Sequence, residues 1–170
     1  TAPHTRALPI PGSRGGIIYP KKYGYALLYS VGMEQYKHIE TCIGRYVADN
    51  YAHAVEVGIG RNTEAAQILS GTGKLLCSTD VKKMPVPEDL SFVIDDVFSP
   101  DISLYREADV IYAIRPAIEM IPPLIGLAEI VNCDLIVYHL GFESWGNGGE
   151  KLDCGVVLHR LVLQPLFRRN

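Results

Sequence analysis

Short apolar runs, each closed by a glycine, an acid or an arginine, recur along this chain and constrain its fold more than any other feature. The run at 52–57 ends at Gly58-Ile59-Gly60, the run at 74–79 in Asp80, and the run at 91–94 in Asp95-Asp96. The run at 109–114 ends in Arg115-Pro116, and that at 134–140 in Gly141. Between them, 63–69 reads as a helix with Asn62 as its N-cap, and 118–131 as a helix interrupted near its start by Pro122-Pro123. The stretch 102–107 is a short helix or turn, and Met84-Pro85-Val86-Pro87 is loop because two prolines exclude a central strand. A last strand is expected at 156–163.

Strands alternating with helices imply a mostly parallel sheet covered on both faces. Right-handed crossovers then give an α/β, Rossmann-like doubly wound sheet. The final strand follows a loop without a helix, so it is expected to run antiparallel at an edge. Apolar residues at 33, 36, 39, 43, 46 and 47 step by three and four, which predicts an amphipathic N-terminal helix ending at Asp49-Asn50. The aromatic stretch 17–31 is poorly periodic. Residues 1–16, rich in Pro, Gly and Arg, read as a flexible arm, and 17–170 as a single domain.

The charge balance excludes some partners. With 16 Lys+Arg against 19 Asp+Glu, the formal net charge is −3, which argues against coating nucleic acid through bulk charge. The pairs Lys21-Lys22, Lys82-Lys83 and Arg168-Arg169 read as solvated surface. No apolar stretch reaches the roughly 18 residues of a membrane span. The four cysteines form no C-x-x-C and the five histidines no H-E-x-x-H, so no metal site is expected. Cysteines in apolar runs fit buried free thiols and a reducing cytoplasm. The tyrosines of 19–29 and the apolar tail 161–167 are candidates for a homodimer contact.

Ligands of a doubly wound sheet bind at the carboxyl ends of its strands. This chain places Glu56, Gly58, Gly60, Asn62, Asp80, Asp95, Asp96, Arg115 and His139 there. Glycines let the backbone turn sharply and approach a ligand. Asp80, twenty residues after Gly60, stands where a carboxylate accepts both ribose hydroxyls of an adenosine. A dinucleotide fingerprint wants a third glycine where Thr63 stands, and Glu56 would repel a pyrophosphate. S-adenosylmethionine has no phosphate and carries a cationic amino group and a sulfonium. The acids after three successive strands suit that small-molecule nucleoside better.

Val55-Glu56-Val57-Gly58-Ile59-Gly60, Asp80 and Ile94-Asp95-Asp96 resemble the first three motifs of class I S-adenosylmethionine-dependent methyltransferases. More narrowly, residues 50–143 resemble a small, mainly archaeal, uncharacterised protein family with a truncated domain of that type. Asp95-Asp96-Val97-Phe98-Ser99-Pro100 and the run from Ala108 to Pro116 carry the narrower likeness. The resemblance implies the fold and a nucleoside site, and it supplies no reaction. Under it, Glu56 would hold the methionine amino group, Gly58 and Gly60 would shape the pocket, Asp80 would take the ribose and Asp96 the adenine. Asn62 replaces a third glycine and narrows the methionine side.

Amino-methylating enzymes carry Asp/Asn-Pro-Pro-aromatic after the fourth strand, where this chain has Ile114-Arg115-Pro116-Ala117. An arginine cannot act as acceptor or base. Arg115 either grips an anionic substrate or closes a salt bridge to Asp95, Asp96 or Glu119. Asp96 either binds adenine or caps the turn that follows it. His139 is either a general base or a packed residue. The leading function is S-adenosylmethionine binding with methyl transfer to an unknown substrate, an anionic one if Arg115 grips it. The alternative is a non-catalytic nucleoside-binding or scaffold domain.

Overall fold

The computed structural model describes residues 24–139 and 149–162, with side chains from Glu34 onward. Helix α1 (Gly24–Asn50) is followed by β1 (Ala54–Val57), α2 (Glu64–Gly71), β2 (Leu75–Asp80) and β3 (Phe92–Ile94). Then come β4 (Val110–Ile114), α3 (Ile121–Val131), β5 (Asp134–Tyr138), β6 (Glu150–Asp153) and β7 (Val157–Val162). One seven-stranded sheet runs β3-β2-β1-β4-β5-β7-β6. Strands β1 to β5 are parallel and β7 is antiparallel to both its neighbours. This is the doubly wound, Rossmann-like, mostly parallel α/β sheet that the alternation of strands and helices in the sequence predicts. The strand order reverses between β1 and β4, which sets the switch point.

Side-chain alternation sorts the core into two layers. Val55, Val57, Ile111 and Leu135 face α3, where Ile121, Leu124, Leu127 and Ala128 cover them. Ala54, Val110, Tyr112 and Ile136 face the other way, onto Ile39, Ile43 and Val47 of α1 and Leu69 of α2. Residues 39, 43 and 47 recur at i+4, so one stripe of α1 closes that layer. Helix α1 crosses α2 at Gly44, where a Cβ would come within 2.9 Å of the Ala65 Cα. Gly44→Val is therefore expected to push α1 off α2 and cost ~1–3 kcal/mol, read as a lowered thermal midpoint.

Four local readings change. Helix α1 begins at Gly24, well inside the stretch read as aperiodic. Thr63, not Asn62, stands at the N-cap of α2, and its hydroxyl accepts from Gln67 Nε2 at 2.6 Å instead of capping. Pro122 and Pro123 begin α3 rather than interrupt it, since first-turn positions need no amide donor. The end of the sheet has two strands where one was expected. The charged β6 forms the edge, and β7 lies inside it beside β5.

All four cysteines are free, with Cys77 and Cys133 buried and Cys42 and Cys154 half-buried. Burial pushes the Cys77 thiol up to about 11 and that of Cys133 up to about 12, which keeps both protonated. Lys82 and Lys83 are exposed. Lys21, Lys22, Arg168, Arg169 and residues 163–167 of the apolar tail lie outside the described residues. Among the described residues, no helix is long and apolar enough to cross a membrane.

Candidate functional site

The turn after β1 is suspended from β2. The amides of Gly58 and Ile59 both donate to the Thr79 carbonyl, at 2.8 and 3.0 Å. The Gly60 amide donates to Asp80 Oδ2 at 3.1 Å, and the Lys82 amide to Asp80 Oδ1 at 3.2 Å. Gly58 and Gly60 take φ of +74° and +60°, a region other residues enter only with strain. Each Asp80 oxygen keeps a second lone pair for a ligand hydroxyl.

A cleft of about 510 Å³ opens at the carboxyl ends of β1 to β4. Gly58, Asp80, Asp95, Asp96 and Arg115 line it, together with Phe98 and Met120. The structure thus brings five of the expected residues to one cavity at the switch point. Its volume is in the range of small-molecule sites. Among the described residues, no group of three or more His, Cys, Asp or Glu side chains could hold a metal ion.

The three acids are engaged to different degrees. Asp95 accepts from the Asp101 amide at 2.9 Å and from the Tyr105 hydroxyl at 2.5 Å, so both its oxygens hold the loop after β3. Asp96 accepts from the Phe98 amide at 3.0 Å, which makes it the turn cap. Its carboxylate is exposed and retains acceptor capacity toward the cleft.

Glu56 and its neighbours occupy the opposite face of the sheet. Alternation along β1 turns Glu56 toward α1, away from the cleft. It is 1% exposed and accepts from the Tyr112 hydroxyl at 2.8 Å. Burial pushes its carboxyl up to about 8, against a partial pull-down by the Tyr112 hydrogen bond. Glu40 of α1 is also buried, and its Oε2 accepts from the Ala65 amide at 3.3 Å. A carboxylate from α1 therefore already occupies the start of α2, where a dinucleotide places its pyrophosphate.

Asn62 belongs to a separate recess of about 260 Å³ between α1 and α2, beside Lys37, Glu40 and Arg61. Gly60 supports the cleft through its amide without lining it. His139 follows β5, half-buried and outside the cleft lining, near enough to His159 of β7 to help lower that imidazole's pKa.

Arg115 stands apart from the other site residues. Its φ is +56°, in the left-handed region that a branched or long side chain rarely takes. Its amide donates to the Tyr138 carbonyl at 2.7 Å, which continues the β4–β5 ladder. The guanidinium lies 3.9 Å over the Tyr36 ring and 5.5 Å from the Tyr138 ring. No ion pair among the described residues involves Arg115, so the alternative of a salt bridge to Asp95, Asp96 or Glu119 is not made. Arg115 Nε is buried without a hydrogen-bond partner.

Sequence reasoning did not find Tyr36, Glu40, Phe98 or Met120 as site residues. Tyr36 and Glu40 sit on α1, far along the chain from the strand ends, and no motif marks them. Tyr112 had a usable signal. It stands on the neighbouring strand in register with Glu56, so alternation puts both side chains on one face.

Comparison with known proteins gives one family. The model of the uncharacterised protein family UPF0146 matches residues 39–150. A UPF0146 protein of Archaeoglobus fulgidus is 36% identical over 129 residues, which is 75% of this chain and 94% of that protein. One from Pyrococcus horikoshii is 33% identical over 98 residues, 55% of this chain and 75% of that protein. Among solved structures, the chain is similar to part of the complex between the Haloferax volcanii Trm112 methyltransferase activator and a candidate methyltransferase. That match has a TM-score of 0.44 and 13% identity, and covers 66% of this chain and 57% of the other. On the match across residues 39–150 and the near full-length likeness to the Archaeoglobus protein, the chain belongs to the uncharacterised protein family UPF0146.

Proposed function

We propose that the cleft binds S-adenosylmethionine and that the protein transfers its methyl group to a second molecule. The observation that carries this reading is the acidic cleft at the switch point, with Asp80 at the end of β2 and Asp96 at the end of β3. In this reading Asp80 accepts from the ribose hydroxyls and Asp96 from the adenine amino group. Gly58 and Gly60 leave room for the nucleoside chain. The three cleft acids favour a cationic sulfonium through their field. Glu40 at the start of α2 disfavours a pyrophosphate, and with it a dinucleotide.

Methyl transfer from a sulfonium is an in-line displacement. The acceptor lone pair forms the new bond to carbon as the sulfur takes back the electron pair. Holding the two partners in line supplies most of what such a step needs.

Calorimetric titration with S-adenosylmethionine, S-adenosylhomocysteine and NAD tests the reading. The expected result is micromolar binding of the two sulfur nucleosides, none of NAD, and a loss of roughly a hundredfold in Asp80→Ala. Because Asp80 also holds the Gly60 amide, a melting curve accompanies the variant. No binding by the folded wild-type protein would overturn the cofactor assignment.

The second reading is a non-catalytic nucleoside-binding domain. It is favoured by Glu56, the acid expected to hold the methionine amino group, being spent on Tyr112. Tight cofactor binding with no methyl label passed to any fraction of a cell extract would put this reading first.

A further inference from the structure

We propose that Arg115 is an anion receptor whose guanidinium, set over the Tyr36 ring and beside Tyr138, takes a carboxylate or phosphate group of a molecule bound at the strand ends. The proposal rests on the cleft being a ligand site and names the chemistry that its arginine would recognise.

Three observations carry it. First, the backbone at Arg115 is held at φ +56° directly after β4, where a glycine would sit without strain. Strain of this kind at a strand end persists only where the surroundings hold the residue in place. Second, its Nε is buried with no hydrogen-bond partner, and no ion pair among the described residues involves it. A guanidinium carries five N–H donors, and their pairing normally decides where it sits. Third, the group rests against aromatic rings. The Tyr36 ring covers a face at 3.9 Å, and the Tyr138 ring stands 5.5 Å away. Stacking of this kind removes rotamer freedom before any ligand arrives.

A guanidinium carries its N–H donors along its edge, and a ring covering one side leaves that edge its binding surface. That edge is a fork of paired donors matched to two oxygens of a carboxylate or phosphate. Arg115 favours the ionisation of Glu40, but no ion pair joins the two, and Glu40 Oε2 accepts at the start of α2. The residue also lines the cleft, so an anion there would lie beside the nucleoside end of the site.

Two molecules could bring the anion. One is the cofactor itself, through the carboxylate of its amino-acid end. The other is an anionic substrate. The same experiment separates them. S-adenosylhomocysteine, methylthioadenosine (which lacks the amino-acid end) and inorganic phosphate are each titrated into wild type, Arg115→Gly and Tyr36→Leu. Glycine suits the observed φ, so Arg115→Gly removes the side chain and leaves the turn its conformation. A melting curve verifies that each variant is folded.

If the cofactor supplies the anion, Arg115→Gly weakens S-adenosylhomocysteine by tenfold or more and leaves methylthioadenosine unchanged. If the substrate supplies it, both nucleosides bind as before and phosphate binding is lost. In either case Tyr36→Leu gives a smaller loss in the same titration, because the guanidinium no longer rests against that ring. Phosphate bound through Arg115 in a protein that takes neither nucleoside would keep the receptor and remove the cofactor reading. Unchanged affinities for all three probes in Arg115→Gly, or no binding of any of them by wild type, would overturn the receptor.

Discussion

Raising the pH from about 5 to about 8 is expected to destabilise the folded protein progressively, and Glu56→Gln is expected to remove most of that dependence. Burial raises the folded carboxyl from an ordinary 4.5 to about 8, helped by the charge of Glu40 and opposed by the Tyr112 hydroxyl. The folded state therefore keeps a proton that the unfolded chain gives up. Stability from this group is fully present below the unfolded value and is lost as pH rises through the folded one. The limiting slope for a single group is ~1.4 kcal/mol per pH unit. Glu40, also raised by burial, adds in the same direction. His159, lowered by burial, runs the opposite way below its ordinary 6.5. Comparing wild type with Glu56→Gln cancels the His159 contribution. Tyr112→Phe removes the donor that holds the carboxyl down, so its slope should extend to higher pH. Urea unfolding at a series of pH values reads all three proteins. Equal slopes in wild type and Glu56→Gln would remove the buried proton from the account.

The second large effect is expected at Asp134. This carboxylate is 2% exposed at the start of β5 and accepts from the Tyr51 hydroxyl, just beyond α1, at 2.7 Å. Arg160 of β7 stands 3.8 Å away and is also paired to Glu150 of β6. One acid thus links the end of α1, the parallel strands and the terminal hairpin. Asp134→Ala is expected to cost ~1–3 kcal/mol, because it leaves a buried hydroxyl without its acceptor while Arg160 keeps Glu150. Asp134→Asn keeps the acceptor for Tyr51 and should fall between the two. A loss under about 1 kcal/mol for the alanine variant would mean that the hairpin docks by apolar packing alone.

Much of the central sheet was legible because its strands are buried on both faces and each ends in a turn residue. The outer elements were not, for physical reasons that differ. Strand β6 reads Glu150-Lys151-Leu152-Asp153, with one apolar residue in four, because an edge strand buries little and gains from charge. The start of α1 is apolar at 25–29, 31 and 33, with almost no polar face to set off a stripe, so periodicity did not find it. At the site, local chemistry was readable and orientation only partly so. The strand-end positions of Asp80, Asp96 and Arg115 follow from the run boundaries. That Glu56 faces away from them follows from alternation along β1, which places it opposite Val55 and Val57. The stacking of Tyr36 on Arg115 joins residues on α1 and β4 through tertiary packing, and nothing local announces it.

The insertion of β7 between β5 and β6 also fixes an order of events while the chain is being made. Strand β6 leaves the ribosome before β7, yet among the described residues it pairs with β7 alone. Until β7 arrives, the outer edge of β5 remains unpaired, a ready template for a strand from another molecule. Closure of that flank needs β7 on β5, and β6 can join the sheet only through it.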